Sequence, residues 1–136
     1  MSYAMSAALQ LSLYQHLRSD TALSALVGTA IYDTLPTGTL PQTYVTLGGE
    51  EVRDRSDVSG QGAEHRLTVS VLTDSAGFST AKQVAAAITD AMDDVDLTLG
   101  RGRLVALWFD RAVARRRGSS GGRSIELRFR ARVEDD

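Results

Sequence analysis

The chain has 136 residues, a hydrophobic fraction of 43%, a formal net charge of −2 and no cysteine. This length is close to the commonest domain size and the hydrophobic fraction is that of an ordinary globular protein, so we expect one domain over residues 1–136. The absence of cysteine excludes disulfides and thiolate metal sites. No apolar run approaches the roughly 20 residues that span a bilayer, so we expect no membrane partner.

Basic and acidic residues are unevenly distributed along the chain. Residues 1–100 carry 5 basic and 12 acidic side chains, whereas residues 101–136 carry 10 basic and 5 acidic ones. Every basic residue except Lys82 is arginine, which forms forked hydrogen bonds with carboxylates and phosphates and gives up less hydration than lysine on burial. This bias suits contacts between subunits, but a genome rich in G and C would produce it as well.

The first third of the chain predicts two helices and a short extended piece. Residues 3–18 place apolar side chains at helical spacing, which predicts a first helix. Asp20 or Thr21 can cap a second short helix that Gly28 can end in a left-handed conformation. Residues 31–33 read as a short extended piece, and Pro36 and Pro41 bound an irregular connection.

The middle of the chain predicts two strands and a third helix. Residues 44–47 begin a strand that Gly48 and Gly49 end. The polar residues 50–62 predict a long exposed loop or an extended hairpin arm, and such segments often have a function. Residues 64–73 alternate as a strand. Ser75 or Ser79 can cap the helix that follows, whose apolar stripe comprises Phe78, Ala81, Val84, Ala85, Ile88 and Met92.

The last third predicts further strands joined by a basic loop. Residues 95–99 read as an extended segment. Residues 104–114 predict a strand, and the nearly continuous apolar run 104–109 suggests burial on both faces. Residues 115–123 predict a basic, flexible loop, and residues 124–134 alternate as the clearest strand. The order of elements predicts an α+β fold, a mostly antiparallel β-sheet with helices packed on one side.

No motif in the chain predicts a catalytic, cofactor or metal site. His16 and His65 each stand apart from other ligand residues, and we expect both at the surface or only partly buried. The aspartates of residues 90–96 lack the spacing of a calcium loop. Ser119 and Ser120 lack a base partner by sequence. The glycine-rich turns precede strands where a phosphate-binding loop requires a helix. We therefore predict that the protein is not an enzyme.

The basic loop 115–123 is the strongest feature outside the expected core, and three interpretations stay open. It could be a solvated hairpin tip. Its arginines could neutralise nucleic-acid phosphates, although the chain lacks interleaved aromatics and a reading helix for base-specific recognition. It could also be an arm whose arginines meet acidic residues of a neighbouring subunit, for which the acidic first 100 residues offer a complement.

The order of several short segments along the chain is distinctive as a set. An N-terminal helix leads into LSALVGTAIYD (23–33), a proline-bounded loop and YVTLG (44–48). LTVSV (67–71), an alanine-rich helix (81–91) and LRFRARV (127–133) follow. Over nearly the whole chain this order resembles the tail-terminator, or tail-completion, proteins of long-tailed phages and phage-like gene transfer agents.

The resemblance implies a structural role in a virion or phage-like particle assembled in the bacterial cytoplasm. It implies a homohexameric ring that caps the finished tail tube, ends its polymerisation and joins the tail to the head-side connector. DNA would pass through the lumen without sequence-specific binding. No catalytic residue, cofactor or metal is implied. Alternatives are a head–tail adaptor or stopper, a tail-tube subunit, or a nucleic-acid-binding module that uses the basic loop.

The two long loops stand where such proteins have partner-facing segments, and we expect protein contacts there. The candidate interaction residues are Arg53, Asp54, Arg55 and Asp57 in the first loop, and Arg115, Arg116, Arg117 and Arg123 in the second.

Overall fold

Three helices and five strands form the architecture of the computed structural model, which describes residues 3–56, 62–93, 95–118 and 121–135. In chain order the elements are α1 (Ser6–Ser19), α2 (Thr21–Val27), β1 (Ile31–Tyr32), β2 (Thr43–Asp54), β3 (Gly62–Thr73), α3 (Ser79–Met92), β4 (Arg103–Arg117) and β5 (Gly122–Glu134). None of the helices is long and apolar enough to cross a membrane, as far as the described residues go.

The five strands form one sheet in the order β1-β2-β3-β5-β4. The short β1 pairs with β2 in parallel, and every other pair is antiparallel. The prediction of an α+β fold with a mostly antiparallel sheet is therefore confirmed.

The core lies between one face of this sheet and the helices. Alternate residues of β5 face the helices and are buried, namely Ile125, Leu127, Phe129, Ala131 and Val133. Their neighbours in sequence are charged and lie on the opposite, uncovered face, because successive side chains of a strand point to opposite sides. The helices contribute apolar stripes, which include Leu9, Leu13 and Leu17 of α1 and Val84, Ile88 and Met92 of α3.

The helix boundaries follow the predicted caps in one case and not in the other. Asp20 caps α2, and its carboxylate accepts a hydrogen bond of 2.9 Å from the Leu23 amide. Gly28 follows this helix with φ +60°. The prediction that Ser75 or Ser79 caps α3 is wrong, because Phe78 occupies the cap position without a side-chain hydrogen bond.

The described residues at the two ends of the polar segment 50–62 belong to the extended hairpin arm, one of the two predicted forms, and residues 57–61 lie outside the described ranges. β2 continues to Asp54 and β3 begins at Gly62, so the two strands pair beyond the predicted end of β2. Gly48 and Gly49 lie at a register shift between Leu47 and Glu50 and do not end the strand. Glycine within a strand often marks such a bulge, which bends the strand and changes which residues face the core.

β4 lies at the edge of the sheet, and two predictions for this part of the chain are wrong. Val105, Trp108 and Phe109 are 45%, 46% and 53% exposed, so the apolar run is not buried on both faces. The strand extends to Arg117, so Arg115, Arg116 and Arg117 are strand residues and not part of a loop. No strand forms over residues 95–99 among those that the structure describes, although Leu97 is buried.

Candidate protein-interaction surface

The arginines at the end of the β4–β5 hairpin extend from a regular strand. Arg115 and Arg116 are exposed, and the described residues place no ion pair on either. Arg116 lies directly opposite Arg123 in the strand register. Like charges in opposed positions of an antiparallel pair are destabilising, so an anionic group from outside the chain would stabilise this end.

Arg123, the fourth predicted interaction residue of this hairpin, makes several contacts within the chain. Its Nη2 donates a hydrogen bond of 2.6 Å to the Ala76 carbonyl, and its Nη1 donates to the carbonyls of Gly121 and Gly122. Its guanidinium also lies 5.0 Å from the centroid of the Phe78 ring. Arg123 therefore fastens the hairpin to the start of α3, and a role in partner contact stays a prediction.

The predicted residues of the first loop lie at the end of the β2–β3 arm. Arg53 forms an exposed ion pair of 2.7 Å with Glu51, and its guanidinium lowers the pKa of that carboxyl. Asp54 accepts hydrogen bonds of 2.6 Å and 2.9 Å from the hydroxyl and amide of Ser56, which lower the pKa of Asp54. The Arg55 amide donates to the Gly62 carbonyl at 2.8 Å. Asp57 lies outside the described residues, as do Ser119 and Ser120 of the basic loop.

The fold keeps the two predicted segments apart. The β2–β3 arm ends beside Glu134 at the last residue of β5, whereas Arg116 and Arg117 lie beside the first residues of β5. A strand advances about 3.3 Å per residue, so the two segments are separated by roughly 35 Å along the sheet. They can therefore serve two different contacts but not one shared site.

An ion-pair cluster on the uncovered sheet face was not predicted from sequence. The Glu64 carboxylate is surrounded by guanidinium groups of Arg55 at 3.8 Å, Arg66 at 3.3 Å and Arg130 at 3.8 Å. The Arg130 guanidinium also lies 5.7 Å from the centroid of the Trp108 ring. The alternation of arginine along β5 indicated this charged face, but the cross-strand register decides which groups meet.

A groove between α3 and β4 was also missed. It has a volume of about 620 Å³ and is lined by the end of α3, by residues 105–109 of β4 and by Phe129. Asp90 and Asp93 line its helical side. The apolar run 104–109 was the sequence signal for it, since an apolar strand at a sheet edge leaves side chains uncovered.

The expectation that His65 is at most partly buried is wrong. Its side chain is completely buried, and its Nδ1 lies 2.9 Å from Oε2 of Glu50. Ser6 donates a hydrogen bond of 2.6 Å to the other oxygen of Glu50, to which the Tyr3 hydroxyl also donates. Because the Ser6 hydroxyl donates to the carboxylate and not to His65, this cluster lacks the nucleophile–base contact of a hydrolase.

Neither histidine has the surroundings of a metal ligand. His16 Nε2 lies 2.6 Å from the Ala91 carbonyl, so it links α1 to the end of α3. Across residues 3–56, 62–93, 95–118 and 121–135, no three histidine or acidic side chains converge as a metal site would require. The chemistry that these surfaces support is association through apolar groups and charges.

Comparisons with known proteins agree with an assembly role. The family model described as "Tail completion protein gp17" matches residues 12–134. A chain from the structure titled "Virion of native gene transfer agent (GTA) particle" is 58% identical, with a TM-score of 0.93, and the match covers 98% of this chain and 99% of that one. No curated protein matches significantly. Family match and structural similarity agree over almost the whole length, and the chain belongs to the tail completion protein family.

Proposed function

We propose that the protein is a non-enzymatic structural component of a virion or phage-like particle. Its copies close into a ring, a hexamer as the resemblance implies, at the end of the tail tube. The ring ends tube polymerisation and joins the tail to the head-side connector. Membership of the tail completion family and similarity to a chain of a gene transfer agent virion support this location and role.

The observation that carries the ring proposal is the uncovered edge strand β4. In the described part of the chain β4 pairs with β5 alone, and its apolar Val105, Trp108 and Phe109 are about half exposed. An edge strand of 15 residues with apolar side chains favours association with another chain. A contact between unlike surfaces of identical subunits leads to open polymers unless the rotation closes, and a closed ring leaves no such surface free.

Ring formation explains how tube growth would stop without any chemical step. Burial of the β4 side chains and pairing of charges between subunits stabilise the ring, because apolar burial contributes about 25 cal/mol per Å². One side of the ring matches the tube end. The other side presents a different surface, to which a tube subunit does not bind but the head-side connector does.

Imaging and mass measurement of the purified protein test this proposal. A closed ring in negative-stain images, with a mass of several subunits, is expected alone or with purified tail tubes. A head–tail adaptor or stopper would bind connector but leave tube length unlimited, and a tail-tube subunit would form long tubes. A sample that stays monomeric and never binds tail tubes, at any workable concentration, would refute the proposal.

A triple variant tests whether the arginine end of the hairpin takes part. Arg115, Arg116 and Arg117 changed together to Ala should weaken ring or tail assembly and leave the monomer fold intact. A variant with Arg18→Ala and Lys82→Ala removes two exposed cations from the helices and controls for most of the change in net charge, two charges against three. Normal tail length and normal head joining with the triple variant would argue against this role.

Contact with nucleic acid is a second candidate, favoured by the arginines of the uncovered sheet face. Arg66, Arg128 and Arg130 of this face are each at least 40% exposed at the side chain. We propose that DNA passes through the ring lumen without sequence-specific binding, so that such contacts are weak and sensitive to salt. A gel shift at two salt concentrations tests this, and tight, salt-resistant binding would instead favour a nucleic-acid-binding module.

A further inference from the structure

We infer that the groove between α3 and β4 receives the arginine-bearing end of the β4–β5 hairpin from a neighbouring copy of this chain. The inference rests on the proposed self-assembly and names the two surfaces that meet. It starts from the groove, whose floor includes Met92, Leu107 and Phe129. Val105 and Phe109 extend beside this floor and are 45% and 53% exposed. Such a surface favours an occupant with apolar parts.

The helical side of the groove carries negative charge, which favours binding of a cation. α3 ends at Met92, and a helix C-terminus carries partial negative charge on its free carbonyls. Asp90 and Asp93 add carboxylates at this end, and the last turn of α3 contains no basic residue. Within the described ranges neither aspartate forms an ion pair. The groove therefore combines an apolar floor with negative charge that the described residues do not neutralise.

The end of the β4–β5 hairpin has the complementary properties. Arg115 and Arg116 are exposed, and Arg116 faces the like charge of Arg123 in the strand register. The stem of an arginine covers apolar surface while its guanidinium pairs with carboxylates, and it also stacks on aromatic rings. An arginine in the groove would thus place its stem on the apolar floor near Phe109 and its guanidinium on Asp90 or Asp93.

The two surfaces cannot meet within one protomer. Both lie along β4, and Leu107 of the groove is separated from Arg116 by about 30 Å at 3.3 Å per residue of strand. This distance is several times the length of an arginine side chain. The contact therefore joins two copies, and one hairpin end and one groove per subunit allow every subunit of a ring to use both.

Charge reversal of each surface, alone and together, tests the inference in the full-length protein. One variant has Asp90→Arg and Asp93→Arg, a second has Arg115→Glu and Arg116→Glu, and a third combines all four changes. Assembly is measured as a function of protein concentration by analytical ultracentrifugation. We expect each double variant to raise the concentration of half-assembly at least about tenfold, and the combined variant to recover most of that loss.

Controls separate loss of contact from loss of fold. Arginine at the C-terminal end of α3 is favourable to the helix dipole, so the thermal midpoint of the first variant should not fall. A variant with Asp33→Arg, Thr37→Arg and Thr39→Arg makes the same change in net charge at exposed positions that follow β1, the strand at the opposite sheet edge. It should assemble like the unmodified protein.

The outcomes distinguish this inference from the proposed function. If the unmodified protein assembles but both double variants assemble equally well, the inference is wrong and the ring proposal stands. If both double variants lose assembly and the combined variant does not regain it, the two surfaces do not contact each other and the inference is again wrong. If swapped charges restore only a dimer, the contact stands and the ring proposal fails. If the unmodified protein never associates with itself or with tail tubes, both fail.

Discussion

Glu50 of β2 and His65 of β3 are diagonal neighbours in the β2–β3 pair, with 2.9 Å between Oε2 of the carboxylate and Nδ1 of the imidazole. The bulge at Gly48 and Gly49 makes this contact possible, because it places Glu50 on the helix-facing side of the sheet opposite the strand position of Leu67. Ser6 of α1 donates to the same carboxylate. The pair therefore ties the first helix to the sheet.

The pH dependence of stability should report this contact. Burial would raise the pKa of Glu50, but hydrogen bonds from His65, Ser6 and Tyr3 outweigh it and lower the pKa. A lowered carboxyl pKa means that the folded protein binds fewer protons than the unfolded chain, so the stabilisation is complete above the ordinary glutamate pKa and is lost as pH falls through the lowered value. We expect Glu50→Gln to cost about 1–3 kcal/mol at neutral pH, and the cost to shrink in acid.

Urea unfolding at several pH values measures this difference in the free energy of unfolding. Glu51→Gln is the matched control, since this neighbouring carboxylate and its ion-pair partner Arg53 are both exposed. Its effect should be small at every pH. A Glu50→Gln cost that does not change with pH would contradict the prediction.

The sequence predicted those parts of the fold that depend on the spacing of apolar residues within a single strand or helix. Alternation along β5 predicts a strand with one buried face, and the helical spacing of α3 predicts its buried stripe. The burial of His65 follows from the alternation of β3, where it shares the face of Leu67 and Val69. Its contact with Glu50 could not be predicted in this way, because that contact depends on a bulge in another strand. The exposure of Phe109 likewise depends on where the helices end over the sheet edge, which the apolar run itself does not reveal.

Gly102 provides a second prediction, because the backbone conformation and the close neighbours of this residue leave no room for a side chain. Gly102 has φ +65°, and a Cβ at this position would lie 2.3 Å from the Glu134 carbonyl and 2.6 Å from Cε of Met5. Gly102→Ala should therefore destabilise the protein by more than about 1 kcal/mol through backbone strain and steric overlap. Chemical denaturation measures the change. Gly100→Ala, where the added Cβ meets nothing within 4 Å, should be close to neutral, and equal losses at both positions would contradict the explanation.

The cap of α2 provides a third prediction. The Asp20 carboxylate accepts a hydrogen bond of 2.9 Å from the Leu23 amide at the first turn. Asp20→Ala should lower the free energy of unfolding by about 0.5–2 kcal/mol, because this amide loses its acceptor. Asp20→Asn keeps a side-chain acceptor and should retain most of the stability. A loss with asparagine as large as that with alanine would show that charge, and not the hydrogen bond, is responsible.

The candidate surface was predicted less completely than the fold, for a similar reason. The cluster of arginines in residues 115–117 is visible in the sequence, but Arg123 in the same segment contacts Ala76 and Phe78 of a distant element. The aspartates at the end of α3 lack the spacing of a calcium loop, and their sequence gives no sign of a groove beside them. Their position beside the apolar β4 follows only from the strand order of the sheet. In that order β5 pairs with β3, and β4, although it comes earlier in the chain, lies at the edge.

The Glu64 cluster provides the last prediction. Glu64 is nearly buried, and three guanidinium groups lie within 3.8 Å of its carboxylate, whereas their own side chains are about 40% exposed. Glu64→Gln removes the negative charge and leaves Arg55, Arg66 and Arg130 to repel one another. We expect a loss of about 1–2 kcal/mol, less than for a fully buried pair because water screens the arginines. Added salt should restore part of this loss, since it screens like charges. Thermal unfolding at low and high NaCl checks both effects.

Glu126→Gln is the control for this variant. The partner of Glu126, Arg128, is 4.0 Å away and exposed, so Glu126→Gln should change stability by less than about 0.5 kcal/mol. If the two variants lose equal stability, or if salt lowers the stability of Glu64→Gln, the carboxylate does not act by neutralising the three arginines.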